Sequence, residues 1–298
     1  MTQPVQLLGS YWTLAVGADP MGEQRCFHDF RVRVETAAKA GFTAMGLWHA
    51  DIIEVRKKYS YPEMKRILDD NGITQIEVEW LLDWFCTGQR RAASDETREL
   101  LLDAAEGLGA RHIKIGDLGN DSADVPLMTE EFGLLCRQAA ERGTNVLFEM
   151  LPAVFSRVPS LDQVLTICRG AGARNGGIML DNLHLQRTGT EPEQIVRKIG
   201  RELPLGVEIN DGTLATPVNL QDSVVNKRLL PGDGEFDIAA FLYAVWTQGY
   251  DGPIGVEVLN EYIRKWPLET AATEAFAKTR QVVMAAREKW EAAQEARR

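Results

Sequence analysis

The chain has 298 residues, 45% of them hydrophobic and 26% charged, a composition that builds a large buried core and excludes disordered or fibrous classes. Its 33 Lys and Arg stand against 43 Asp and Glu, a formal net charge of -10, which opposes phosphate backbones and sets general nucleic-acid binding aside. No run approaches the roughly 18 apolar residues of a membrane span, and Met1 to Gly9 lacks the basic flank and apolar run of a signal peptide, so the cytoplasm is the expected location.

Short apolar runs alternate with amphipathic stretches along the whole chain. The runs are Val5 to Leu8, Ala44 to Trp48, Ile73 to Val78, His112 to Ile115, Asn145 to Glu149, Gly177 to Asp181, Leu205 to Ile209 and Ile254 to Val258. Each is bounded by Gly, Asn, Asp or Pro and is apolar at both alternating positions, which predicts strands covered on both faces. Between them, Phe30, Val34, Ala37 and Ala38 share a helical face before Gly41. Ser94-Asp95-Glu96-Thr97 reads as a helix start leading to Leu100, Leu101, Ala104 and Leu108 before Gly109. Phe132 to Ala139 and Ile238 to Val245 repeat the pattern, and a long last helix is expected over about residues 269–296. The four cysteines (Cys26, Cys86, Cys136, Cys168) lack C-x-x-C spacing and read as buried, reduced thiols.

Eight strands alternating with helices predict a (β/α)8 TIM barrel, and no shift in composition marks a linker, so residues 1–298 read as one domain. A doubly wound open sheet competes, but Gly9-Ser10-Tyr11-Trp12 after the first strand is not a dinucleotide-binding turn.

Acids fall where such a barrel keeps its chemistry. Glu149, Asp181, Glu208 and Glu257 each follow apolar residues at the carboxyl end of strands five to eight. Two carboxylates about 4 Å apart repel by on the order of 4 kcal/mol at an effective dielectric near 20, so a converged group needs protons or a divalent cation. Oxygen-only ligands favour one Mn or Mg ion over zinc or copper. A helix cap or a salt bridge would explain any one of these acids alone; four on consecutive strands point to a metal.

Leu147-Phe148-Glu149, Leu180-Asp181-Asn182-Leu183-His184, Val207-Glu208-Ile209-Asn210-Asp211-Gly212, Pro231 to Asp237, and Gly249-Tyr250-Asp251-Gly252-Pro253 running on to Glu257 together resemble the xylose-isomerase-like, AP-endonuclease-type barrel family of sugar isomerases and epimerases. The resemblance implies a divalent metal held by Glu149, Asp181, the strand-seven residue and Glu257, with Glu149 and Glu257 as the catalytic acid–base pair. It also implies substrate contacts from His184 and Arg228, against which stand a loop histidine and a solvated arginine. The family usually has His on strand seven, where this chain has Glu208. The extra negative charge would weaken the ion as a Lewis acid, and leaves Glu208 either a ligand or an acceptor from a metal-bound water.

Further candidates come from the residues themselves. Lys114, inside His-Ile-Lys-Ile, must point into the barrel mouth, where it would balance the acids, or snorkel outward. His49 ends strand two and is either a site donor or packed under Trp48. His112 reads as structural, and His28 as the entry to the first helix. Trp12, Trp48, Trp80 and Trp84 lie near the ends of strands one to three, where aromatic faces suit a sugar ring or simply pack between loops.

The expected activity is a metal-dependent isomerase or epimerase of a small carbohydrate or polyol, acting through a metal-stabilised enediolate. The alternative is a lyase of the same fold: a dehydratase of a keto-inositol or dehydroshikimate-like ring, or a β-eliminase of a keto-glycoside. A zinc nuclease is disfavoured with four histidines in the chain. The acids Asp233 and Glu235 in the loop after strand seven oppose a phosphorylated substrate. Neither a membrane nor a nucleic-acid partner is expected, and a homo-oligomer is left open.

Overall fold

The computed structural model describes residues 5–119 and 121–296. Eight parallel strands close into one barrel in sequence order: β1 (Leu7–Gly9), β2 (Ala44–Trp48), β3 (Gln75–Leu81), β4 (His112–Ile115), β5 (Asn145–Glu149), β6 (Gly176–Asp181), β7 (Leu205–Ile209) and β8 (Ile254–Val256). β1 pairs with both β2 and β8, which seals the sheet and leaves no open edge.

The helices, in chain order, are α1 (Tyr11–Leu14), α2 (Phe30–Ala40), α3 (His49–Arg56), α4 (Tyr61–Asp70), α5 (Gly88–Leu108), α6 (Val125–Glu141), α7 (Leu161–Gly170), α8 (Asn182–Arg187), α9 (Pro192–Lys198), α10 (Leu220–Asn226), α11 (Ile238–Thr247) and α12 (Leu268–Glu295). Their starts follow ordinary capping chemistry. Asp29 accepts from the Arg31 N–H to open α2, and Ser60 with Glu63 forms a reciprocal capping box on α4. Gly41 ends α2 at φ 117°, a conformation that favours glycine. Among the described residues, no helix is long and apolar enough to cross a membrane.

Several boundaries differ from the sequence reading. Ser94 is not a helix start: α5 begins at Gly88, and the Ser94 hydroxyl, a turn and a half inside, donates to the Leu82 carbonyl at 2.6 Å. The Gln-Arg-Arg-Ala-Ala segment ahead of it consists of good helix formers and carries the helix backwards. β3 runs on to Leu81 instead of stopping at Val78, and β8 stops at Val256, so Glu257 lies one residue past its strand. The thiols are free as expected, but only Cys136 and Cys168 are buried; Cys26 and Cys86 are partly exposed.

Short helices that the apolar pattern did not reveal follow directly on strands β2 and β6. α3 is anchored by a buried ion pair, Arg33 Nη2 to Asp51 Oδ2 at 2.6 Å, so the turn that carries His49 is tied to α2.

Glycines set how closely the strands and their side chains fit. A Cβ at Gly255 would lie 2.9 Å from Glu208 Cγ, so this strand position leaves the space that Glu208 occupies. At Gly177 a Cβ would be driven into the backbone carbonyl of Pro204, which cannot rotate away. Gly177→Ala is therefore expected to destabilise the barrel by about 2–3 kcal/mol, as for overpacking of a core. A urea midpoint unchanged from the parent would show that β6 and the Pro204 segment can part without loss.

Candidate functional site

The strand ends bring the acids together. In the sheet register Asp181 pairs with Glu208 and Glu208 with Gly255, while the Glu257 N–H donates to the Ile209 carbonyl at 3.1 Å. All four carboxylates are buried, and ligand atoms from Glu149, Asp181, Glu208 and Glu257 lie within 4.8 Å of one another. A second such group joins Glu149 and Asp181 to His184.

Asp181 is fixed from several sides. Its Oδ1 accepts from the Leu183 N–H at 2.7 Å as the cap of α8, and Asn210 Nδ2 reaches both oxygens at 3.1 Å. Asn210 is held in turn by reciprocal bonds with Asn182, each 2.9 Å. Both asparagines fall within the sequence motifs, but the motifs alone assign them no role. Their position beside Asp181 and Glu208, at the ends of paired strands, was the available signal.

Two cations stand among the acids. Lys114 points into the barrel: its Nζ donates to Glu208 Oε1 at 2.9 Å, Glu208 Oε2 at 3.0 Å and Glu257 Oε1 at 2.9 Å. It also lies 2.7 Å from Glu79 Oε2 in ion-pair contact. Arg228 is buried, not a solvated surface residue. Its Nη1 donates to Asp181 Oδ2 at 2.8 Å and Glu257 Oε2 at 2.7 Å, and its Nε to the Val224 carbonyl at 2.8 Å. The extra charge of Glu208 is therefore not left free to load the site, because Lys114 engages both of its oxygens.

Glu79 joins this group and Glu77 lies behind it, with His112 Nε2 3.1 Å from Glu77 Oε2, the structural role expected for that histidine. Both acids escaped the sequence reading. Acids at alternate positions in Gln-Ile-Glu-Val-Glu-Trp resemble the wet face of an exposed strand, whereas here that face is the barrel interior.

The electrostatics leave the cluster short of positive charge. Burial pushes the Glu79 carboxyl up to about 8, against the pull of Lys114. Burial and the neighbouring Glu257 raise Glu208 as well. Burial acts in the same direction on Glu257, but Lys114 and Arg228 outweigh it and hold that group at about 2. For Lys114, burial opposes the charge and Glu208, Glu257 and Glu79 more than restore it, so the ammonium persists.

Buried carboxylate oxygens without a donor occur on Glu77, Glu79 and Glu149, but Glu79 has Lys114 and Glu77 has His112 beside it, whereas Glu149 has neither a lysine nor an arginine among the described residues. Its Oε1 is buried without a hydrogen-bond donor, and His184 Nε2 lies 3.5 Å away, too far for a firm bond. A buried carboxylate oxygen with no donor is unfavourable unless a cation or proton meets it. Together with the converging oxygens of Asp181, Glu208 and Glu257, this donor set fits a divalent metal. His184 is in the first turn of α8 and buried, so the surface-loop alternative does not hold.

Above the acids opens a cavity of about 390 Å³. Glu79, Lys114, Glu149, His184, Arg228 and Glu257 line it at the polar end, while Trp12, Trp48, Trp80, Leu118, Phe155 and Leu259 supply apolar wall. The Trp12 and Trp48 rings lie 4.7 Å apart and Trp48 and Trp80 6.1 Å apart, a continuous aromatic surface. Trp84 is not part of it: it is fully buried in the core against Phe85, Phe132 and Phe148, with its Nε1 on the Gly116 carbonyl at 2.9 Å.

His49 lines the same cavity, and its protonation follows from its surroundings. Burial lowers it to about 4, so the ring is neutral at pH 7. Its Nδ1 accepts the Trp80 N–H at 3.2 Å, which puts the ring proton on Nε2. His49→Phe is expected to raise KM by roughly three- to tenfold, the worth of one hydrogen bond, with kcat within about twofold. A fall in kcat instead of a rise in KM would make His49 a proton carrier.

Comparison with known proteins gives the fold and its relatives. A family model described as xylose isomerase-like TIM barrel matches residues 34–282. The 3-dehydroshikimate dehydratase of Pseudomonas aeruginosa is 27% identical over 245 residues, covering 81% of this chain and 38% of that protein. The chain thus spans about two fifths of the length of the curated relatives it matches. Among solved structures, the IOLI protein with a bound zinc atom superposes with a TM-score of 0.80 at 17% identity, over 94% of this chain and 99% of that one. D-Allulose 3-epimerase from Methylomonas sp., solved with D-allulose, gives 0.69 at 18% identity, over 94% and 99%.

Proposed function

Because the chain belongs to the xylose isomerase-like TIM-barrel family, we propose that it is a metal-dependent enzyme that isomerises or epimerises a sugar or polyol by moving the proton beside a carbonyl. What carries this reading is Glu149 Oε1, a buried acceptor without a donor, facing a cavity whose floor gathers further carboxylates. One divalent ion, Mn or Mg by the oxygen-rich set, would be held by Glu149, Asp181 and Glu257, with Glu208 close by, and would supply Lewis acidity toward the substrate's oxygens.

The protein's own groups then have distinct tasks. Glu149 is the base, and His184, whose Nε2 lies 3.5 Å from Glu149 Oε1, takes the proton on or returns it. Glu257, on the other side, is the acid–base partner; Lys114 and Arg228 bond it in the empty site, and it returns a proton only after taking one up. His49 donates from Nε2 to a substrate oxygen. Trp12, Trp48 and Trp80 lie against the apolar face of a ring and keep water from the reacting carbon. Lys114 and Arg228 are both engaged by carboxylates, so the site offers poor anchorage for an anionic group, and the substrate is neutral and unphosphorylated.

A lyase is the second reading. The 26–27% identical relatives are dehydratases, and the aromatic wall of Trp12, Trp48 and Trp80 suits an unsaturated ring as well as a sugar. Both outcomes share proton removal by Glu149 and part afterwards. A panel of neutral ketoses, aldoses and keto-polyols, with 3-dehydroshikimate added for the second reading, in deuterated water separates them. Deuterium entering the carbon beside the carbonyl of an isomerised product supports the first reading, and loss of water or of a glycosidic group supports the second. No exchange into any substrate with metal present would overturn both.

A further inference from the structure

We propose that Lys114 and Glu208 act as one unit, an internal ion pair in which Glu208 serves the ammonium and the ammonium sets how tightly the site takes a divalent ion. The inference rests on the metal reading and adds to it a residue that controls affinity. Lys114 stands on β4 and Glu208 three strands away on β7, and all three Nζ donors are used, two on the oxygens of Glu208 and one on Glu257 Oε1, with Glu79 Oε2 in ion-pair contact at 2.7 Å. Gly255 leaves the room in which the Glu208 side chain lies. Lys114 lines the cavity and Glu208 does not, so the ammonium stands between that carboxylate and whatever enters.

Two consequences follow from charge alone. A divalent ion bound to Glu257 shares that carboxylate with the ammonium, and two cations at one group repel. The positive charge of Lys114 and the negative charge of Glu208 also cancel. The cluster therefore keeps the charge it would have with neutral side chains at both positions, and Glu208 need not be a ligand.

The test is Mn(II) affinity of the metal-stripped protein, with the free ion followed by electron paramagnetic resonance, in wild type, Lys114→Met and Lys114→Met/Glu208→Gln. Lys114→Met is expected to bind at least about tenfold more tightly, since a repelling cation has gone. The double variant is expected within about threefold of wild type, because the two charges leave together. It also keeps the buried charge balanced, so it can still overturn the pair where the single variant fails to fold. A single variant no tighter than wild type, or a double variant weaker than that margin, overturns the pair, the latter by making Glu208 a ligand in its own right. Wild type that takes up no Mn(II) removes the metal reading itself, a result distinguishable from either.

Discussion

Glu149→Gln is expected to abolish proton exchange at the substrate carbon, with kcat reduced by roughly 10³- to 10⁴-fold, while the barrel remains folded. The substitution keeps shape and volume and removes only the charge. That charge has two tasks: it accepts the substrate proton, and it contributes an oxygen to the ion. The effect on stability should run the other way. Glu149 stands within ligand distance of three other buried carboxylates, and its Oε1 lacks a donor. Removing one negative charge relieves that crowding, so the metal-free variant should melt no lower than metal-free wild type. The two readouts together are diagnostic, since a residue with a merely structural role would lose stability along with activity. Calorimetry and an isotope-exchange assay on the same preparation check both, and a variant that keeps more than about a tenth of wild-type exchange would remove Glu149 as the base.

Arg228→Met should produce the largest loss of stability. Its guanidinium bonds Asp181 and Glu257 from a fully buried position, and truncating it leaves both carboxylates without their shared cation. Breaking a buried pair by removing one partner destabilises by about 3–5 kcal/mol, which for a domain of this size lowers Tm by roughly 10 °C. A divalent ion bound to the same two acids should return part of that loss, so the drop is expected to be larger in chelator than with saturating Mn(II). A Tm within about 2 °C of wild type in chelator would mean that the two acids are neutralised by protons and not by Arg228.

The barrel and its acidic mouth were legible in the sequence because each depends on local pattern. Strands covered on both faces read as short apolar runs, and the acids at their carboxyl ends, Glu149 and Asp181 as last residues and Glu208 as last but one, stand out against them. Features that depend on closure were not legible. Glu77 and Glu79 alternate with apolar neighbours as on an exposed strand, and only the closed barrel turns that face inward beside Lys114. The bond from Lys114 to Glu208 joins residues 94 positions apart, and no spacing rule connects them. Arg228, read as either a substrate contact or a surface residue, proves to be a strut between Asp181 and Glu257 that also lines the cavity. The turn carrying His184 was hidden for another reason: α8 spans Asn182–Arg187, too short for an apolar period to show.

The most direct measurement is the anomalous difference density of a crystal of this protein soaked in Mn(II). One strong peak per chain is expected among the carboxylate oxygens of Glu149, Asp181 and Glu257 at the floor of the tryptophan-lined cavity, with Glu208 still bonded to Lys114. Density that is flat at those acids, or a peak elsewhere with the acids joined only to Lys114 and Arg228, would contradict a metal-dependent proton transfer at this site.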